Sequence, residues 1–415
     1  MSLVAPHTDV DRQLARLGPR ELAVAVLTYN NVATIDAVAT AVNGALETRP
    51  NGMAGVIINV DVGSSDGTPE ALARAGAPLL SARVTAPVTE RARVPFHGVP
   101  GRAEALRTAL TLAQRVGARV LVLVEADLVS LTPQWIEQLA RPVWESKADF
   151  VAPAYARHRY EGTITNLLLS PIVRALYGRR LRQPLGGQQA LSARLIEHLL
   201  VHPQWTWSGR EVVDLWVVGT AIADGFSVWE TWLGRRRIES RTRSTELPAM
   251  ISETLGAVFA LMDRHQDLWR EVRGSEPVPA VGDAVLPGTD TVTVDVERLL
   301  AGFRLGLRDL VPIWEHILAA DTLGDVLSLD PEGADRFRFP DELWARVVYD
   351  FALGHHYAVV HREHLLRSLV PLYLGRTAAF VAATRGRSAE GTEAMIDAVG
   401  VAFEQQKPYL TERWR

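Results

Sequence analysis

The sequence predicts an α/β fold in which a largely parallel sheet is covered by helices on both faces, followed by a helical C-terminal part. Three observations carry this. Apolar runs at 22–27, 55–60 and 119–124 are continuous and rich in β-branched residues, the pattern of strands buried on both faces. The runs end in polar turns or acids, and helical periodicity alternates with them. From about residue 296 onward helical spacing dominates, over 296–320, 340–374 and 390–406.

Residues 1–20 mix Asp, Arg and Pro and read as a short arm. The first strand runs into Thr-Tyr-Asn-Asn at 28–31, after which Ile35, Val38, Ala39, Val42 and Leu46 recur at three- and four-residue spacing. The second strand ends in Asp-Val-Gly-Ser-Ser-Asp-Gly-Thr at 61–68, and Pro69 suits the first turn of a helix. A helix over 103–116 leads to the third strand, which stops at Glu125, Ala126 and Asp127. In a sheet of this kind ligands sit outside the carboxyl ends of the strands. The clusters at 28–31, 61–68 and 125–127 are therefore expected to converge on one edge. Beyond Asp149 the pattern is mixed, with a helix over 163–176, and 273–295 reads as a linker.

Composition narrows the function. A length of 415 residues suggests two or three domains. Net charge is −4, from 44 basic and 48 acidic residues, which argues against a dedicated nucleic-acid binder. The absence of cysteine excludes disulfides, thiolate zinc sites and a thiol nucleophile. No apolar run approaches the roughly 20 residues that cross a bilayer, and the N-terminus lacks a signal-peptide core. The expectation is a cytoplasmic protein without a membrane partner.

Several clusters carry chemistry. Asp61 with its Gly and hydroxyl neighbours suits a ribose or base, and equally a plain turn. Gly101 and Arg102 open a helix, where N–H groups and a guanidinium suit a diphosphate or simply form a solvated turn. Glu125 and Asp127, two apart at a strand end, point the same way and suit Mg2+ or Mn2+. Glu211 and Asp214 are spaced to share a helix face. Five of the eleven Trp fall within 205–232 (Trp205, Trp207, Trp216, Trp229, Trp232), which fits a packed core or a wall for a sugar. His355, His356, His361 and His364 lack the His-Glu-x-x-His spacing of a zinc protease and read as a helix face.

Taken together, these motifs resemble the GT-A glycosyltransferases. The first strand into Thr28, Tyr29 and Asn30 resembles their opening nucleotide-binding strand. The 61–68 segment is similar to the Asp-Asp-Gly-Ser-Thr-Asp-Gly-Thr box, and Gly101, Arg102 and Glu-Ala-Leu at 104–106 to the Gly-Lys-Gly-x-Ala-Leu segment. Glu125, Ala126 and Asp127 sit where the Asp-x-Asp motif belongs. Tyr-Ala-Arg-His at 155–158, Thr-Ile-Thr at 163–165, Gln-Pro-Leu-Gly-Gly-Gln at 183–188, Val-Asp at 213–214, Trp-Glu-Thr-Trp at 229–232 and Asp-Glu-Leu-Trp at 341–344 narrow the resemblance. They look like the mannosylglycerate synthases and, more distantly, the glucosyl-3-phosphoglycerate synthases.

This resemblance implies a Rossmann-like GT-A mixed sheet with a helical C-terminal part. It would divide into a nucleotide-sugar-binding half at 21–150, an acceptor-binding half at 151–272, the linker at 273–295 and a helical region at 296–415. It implies retaining transfer of a hexose from GDP-mannose or UDP- or GDP-glucose to glycerate, 3-phosphoglycerate or a similar hydroxy acid, for compatible-solute synthesis. By the same carry-over Thr28, Tyr29, Asn30, Asp61, Gly101, Arg102, Glu125 and Ala126 would hold the nucleotide sugar. Arg157, Thr163, Gly186 and Gly187 would hold the acceptor, and Asp214 and Asp127 would be catalytic. Asp127 would bind the divalent metal together with Glu239, which stands where the synthases carry a metal-binding His. An all-oxygen site of that kind favours Mg2+ or Mn2+. A homo-oligomer is expected through the helical region.

Three other readings compete. A polysaccharide synthase would carry Gln-x-x-Arg-Trp, but Arg413 and Trp414 follow Leu410. A sugar nucleotidyltransferase would need a Gly-rich loop with Arg and a Pro-Lys pair, which 28–36 lacks. A non-catalytic nucleotide-sugar-binding paralogue is kept open by Glu125 and Glu239.

Overall fold

The structure, a computed structural model, describes residues 7–48, 52–86, 98–206, 212–239, 247–288, 292–329, 333 and 336–415. Its strands are β1 (Leu22–Thr28), β2 (Gly55–Asp61), β3 (Leu79–Arg83), β4 (Val120–Glu125), β5 (Phe150–Ala156), β6 (Arg179–Arg180), β7 (Gln189–Ser192), β8 (Val228–Arg235), β9 (Glu276–Pro277) and β10 (Ala280–Val281). The chain divides into two compact units, each assembled from separated stretches.

The first unit comprises Met1–Tyr155, Leu185–Ser244 and Val278–Ala284. Its sheet has the order β10-β8-β5-β7-β4-β1-β2-β3. β1 pairs in parallel with both β2 and β4, and β2 with β3. Every residue of β1 is buried. Two-sided burial explains why its sequence is a continuous apolar run rather than an alternation. Helices Ile35–Glu47, Arg102–Val116 and Pro133–Trp144 supply the crossovers that parallel strands require. β7, only four residues long, is antiparallel to β4 and β5 and makes the sheet mixed.

The order 3-2-1-4 is that of a Rossmann-type half, and the chain reverses direction across the sheet between β1 and β4. Register aligns the strand ends. Thr28 lies opposite Asp61, Leu27 opposite Glu125 and Asp61 opposite Arg83. The last residues of four adjacent parallel strands thus share one edge.

The second unit comprises Ala156–Pro184, Thr245–Pro277 and Val285–Arg415. The division differs from contiguous segments bounded at 151, 273 and 296. Residues 185–244 complete the sheet of the first unit, because β7 and β8 pair within it. The expected linker is also more structured than its composition suggests: β9 pairs with β6 and β10 with β8. Backbone ladders need no side-chain pattern, so two-residue strands leave no trace in composition.

In the second unit Trp269, Trp314, Trp344 and Trp414 are fully buried, and each indole N–H has an acceptor: Met262 O, Ser368 O, Leu167 O and Gln266 Oε1. The expected helical stretches resolve into Val296–Asp309, Val311–Ile317, Ala320–Leu327, Asp341–His356, Arg362–Thr384 and Ala389–Arg413. Helix Arg362–Thr384 is long and apolar enough to cross a membrane by length and composition, yet 72% of its most apolar stretch is buried. That burial fits a core helix. It packs on helix Val296–Asp309, and a Cβ on Gly375 would stand 2.8 Å from Cγ of the buried Phe303.

This contact sets a steric test against helix propensity. Gly375→Ala should destabilise the protein by about 1–3 kcal/mol through overpacking. Gly324→Ala, whose Cβ meets nothing within 4 Å, should stabilise it by about 1 kcal/mol. Denaturant titration of both variants reads the opposite signs.

Candidate active site

The loops that leave β1 and β2 are laced together at the sheet edge. Asn30 Oδ1 accepts from the Ser65 N–H at 2.9 Å, and the Asn30 N–H donates to Ser64 Oγ at 2.9 Å. The Asn31 N–H donates to Thr68 Oγ1, and the Val32 N–H to Asp66 Oδ2. Asn30 adopts φ 54°, which asparagine tolerates better than most residues. Burial pushes the Asp66 carboxyl up, but hydrogen bonds from Thr68 and the Val32 N–H outweigh it and hold it below its usual range. Thr34 ties this pair of loops to the end of β4, donating to Ala126 O at 2.7 Å. The 28–31, 61–68 and 125–127 clusters therefore meet at the switch point.

The partners of these residues differ from those expected. Thr28 is wholly buried, donating to Asp61 Oδ1 and accepting from Asn59. Asp61 is 3% exposed, and its carboxylate accepts from Thr28 Oγ1, Ser64 Oγ and the N–H groups of Gly63 and Ser64. These bonds engage its oxygens in shaping the loop. Tyr29 and Asn30 are half-buried at the same edge.

Gly101 caps helix Arg102–Val116 in the left-handed conformation at φ 63°. Arg102 and Asp214 form a bidentate pair, Nε to Oδ2 at 2.6 Å and Nη2 to Oδ1 at 2.9 Å, with both side chains under 10% exposed. Gln189 adds a contact to Asp214 at 3.4 Å. Burial works against the Arg102 charge, but Asp214, followed by Glu125 and Asp127, more than restores it. The guanidinium expected on a diphosphate and the carboxylate expected on a sugar hold each other. Glu211, spaced to share a face with Asp214, lies outside the described residues.

Glu125 accepts from Gln188 Nε2 at 3.0 Å and from Arg236, whose guanidinium also lies over the Tyr155 ring. Tyr155 in turn donates to Gln188 Oε1. Gly187, at φ 86°, brings its backbone so close that a Cβ would collide with the Glu125 carboxylate, and a Cβ on Gly186 would collide with Pro153. The two glycines thus have a packing reason of their own. Sequence reasoning missed Arg236. Its signal was the basic run at 235–237, which has no periodicity linking it to position 125.

Asp127 stands apart. Burial, and then the neighbouring Glu125 charge, push its carboxyl up to about 6, and Arg236 and Arg102 offset this only in part. Its carbonyl accepts the Glu239 N–H at 3.1 Å, beside a bridge between Leu128 and Ile238. The Glu239 side chain is exposed. A magnesium-like ion commonly takes one or two carboxylates plus substrate phosphates. Asp127 offers one such carboxylate, tied to Glu239 through the main chain, while Glu125 is paired with Arg236.

Arg157 and Thr163 belong to the second unit. Arg157 O accepts the Gly288 N–H at 2.9 Å, and Thr163 Oγ1 lies 2.5 Å from the Tyr373 hydroxyl. His355 is buried there, which pushes its imidazole down to about 4. His356 bonds Asp263 and stacks on Trp414. Of the Trp at 205–232, Trp216 is buried and Trp205 packs against it, as core residues do. Trp207 lies outside the described residues.

No protein-family model matches the chain, and no curated protein does. Among solved structures, the chain is similar to the crystal structure of glucosyl-3-phosphoglycerate synthase from Mycobacterium tuberculosis in complex with Mn2+, uridine diphosphate and phosphoglyceric acid. Identity is 21%, covering 62% of this chain and 82% of that one, with a TM-score of 0.42. The same enzyme with phosphoglyceric acid gives 21%, 67%, 86% and 0.43. The crystal structure of a mycobacterial protein gives 24%, 62%, 78% and 0.42.

Two outcomes follow from the site's electrostatics. Arg102→Ala should cost about 3–5 kcal/mol, because it strands a buried carboxylate, while Arg102→Met with Asp214→Leu should cost much less. A double-mutant cycle by denaturant unfolding measures this. Because the folded protein holds the Asp127 carboxyl above its unfolded value, ionising it opposes folding. The penalty is absent below about pH 4 and complete above about pH 6. Asp127→Asn should therefore stabilise the protein by about 1–3 kcal/mol at pH 7.5, with the gain vanishing near pH 4. Unfolding curves at the two pH values test the sign.

Proposed function

We propose that this chain is a retaining glycosyltransferase. It moves a hexose from a nucleotide sugar (GDP-mannose, or UDP- or GDP-glucose) to a small hydroxy acid such as glycerate or 3-phosphoglycerate, as in compatible-solute synthesis by the mannosylglycerate synthases. The observation that carries this reading is the meeting of the loops after β1, β2 and β4 at the sheet's switch point around Asp127. There burial, and then the neighbouring Glu125 charge, push the Asp127 carboxyl up to about 6, a perturbation of the kind that clusters at functional sites.

In this reading Asp127 and Glu239 hold a Mg2+ or Mn2+ ion together with the donor phosphates. The ion supplies charge stabilisation for the departing nucleoside diphosphate. Tyr29, Asn30 and the backbone of Ala126 line the nucleotide side. Arg102, locked by Asp214, contributes fixed positive charge near Asp127, and Arg236 does the same from Glu125. Gly186 and Gly187, whose side-chain faces are filled by Pro153 and Glu125, would serve the acceptor carboxylate through their main chain. Retention requires the acceptor hydroxyl on the face the leaving group departs from, which is a positioning task. The protein would act in the cytoplasm on small molecules, as a homo-oligomer.

A second reading is a non-catalytic nucleotide-sugar-binding paralogue. It is favoured by the neutralisation of Glu125 by Arg236, which removes one acid from the expected metal pair.

Incubation of the purified chain with each donor, each acceptor and Mg2+ or Mn2+, followed by mass spectrometry, should yield a hexosyl hydroxy acid and nucleoside diphosphate in one combination. Asp127→Ala should lower turnover by about 1,000-fold or more. Tight donor binding by calorimetry with no product from any pair would replace the transferase reading with the second one.

A further inference from the structure

A second group of metal-type ligands lies in the first unit, away from the acids at the β1, β2 and β4 ends. Helix Ala193–Val201 carries His198, and His202 caps it four residues later, so the two imidazoles share a face. The third member, Asp224, caps the C-terminus of helix Val213–Ala223. One ring nitrogen from each histidine and one oxygen of Asp224 all lie within 4.8 Å of one another. His198 Nε2 is 2.6 Å from Asp224 Oδ2, and His202 Nε2 is 4.0 Å from the same oxygen. Among the described residues this is the only set of three or more such side chains close enough to hold an ion.

We propose that His198, His202 and Asp224 form a zinc-type divalent-cation site, independent of the proposed transferase chemistry. Two imidazoles and one carboxylate are the donor set of many Zn2+ sites, with bonds of about 2.0–2.2 Å. Drawing the three atoms onto one ion needs side-chain shifts of about an ångström, well within rotamer freedom. The donor set is softer than the all-oxygen complement at Asp127, so it selects Zn2+, Ni2+ or Cu2+ over Mg2+. His198 is 35% exposed and Asp224 36%, which leaves an entry path and a fourth position for water. The opposite flank is apolar: His202 packs on Trp216 and His198 on Phe226. Such a shell fixes ring orientation and lowers the local dielectric.

The ion would clasp the ends of two helices. One follows β7 directly, and the other carries Asp214 in its first turn. Its role is structural, holding the helix that buries Asp214 against the strand beside β4.

Calorimetry of the chelator-stripped full chain with Zn2+, in excess Mg2+, tests this. The wild-type chain should bind one equivalent more than His198→Ala/His202→Ala, whose affinity at this site should fall at least about 100-fold, with Asp224→Asn losing about 10-fold. X-ray absorption of the Zn2+-loaded wild-type chain should show two imidazole nitrogens with oxygen ligands, a readout that does not depend on how the variants fold. Equal stoichiometry in wild-type and folded double variant, or a zinc shell without two imidazoles, would overturn the assignment.

Discussion

Carboxylates held at the carboxyl edge of a dry sheet must each find donors or a cation, and this constraint organises the first unit. Three of the four acids here satisfy it internally. Asp61 takes backbone N–H groups and hydroxyls, Glu125 takes Arg236 and Gln188, and Asp214 takes Arg102. Unpaired buried charge costs several kcal/mol, so these pairings are conditions of folding as much as features of a site. Asp127 is the acid whose surroundings do not offset its burial.

The same constraint separates positioning from chemistry. Arg102 and Asp214 engage each other in a bidentate, net-neutral pair, and the guanidinium in turn acts on the Asp127 carboxyl, favouring its ionised form. Gly186 and Gly187 are needed because Pro153 and Glu125 stand where a Cβ would be. The proposed transfer thus rests on few groups that are free to move and many that hold them. This is the preorganisation expected where charge develops in a transition state.

The second unit follows a different rule. Its core is built on large aromatics, and four buried Trp each find a hydrogen-bond acceptor, three of them main-chain carbonyls. Arg174 bridges to Asp397 and Glu404, joining helix Ser170–Tyr177 to Ala389–Arg413 across more than 200 residues of sequence. The aromatic density at 205–232, visible in the sequence, proved less telling than these scattered tryptophans, because burial is set by three-dimensional neighbours rather than by local count.

The strands at 22–28, 55–61 and 120–125 and the turn clusters after them were legible in the sequence by itself, since two-sided burial forces continuous apolar runs and turn chemistry is local. From these alone follow the edge where the acids gather and the residues to suspect there. The partnerships were decided only in three dimensions. Nothing local marks Arg236 for Glu125, Asp214 for Arg102 or Asp224 for His198, because these pairs are separated by 111, 112 and 26 residues. The interleaving of the two units escaped the sequence for the same reason: four-residue β7 and two-residue β10 join the sheet through backbone hydrogen bonds, which carry no side-chain signature.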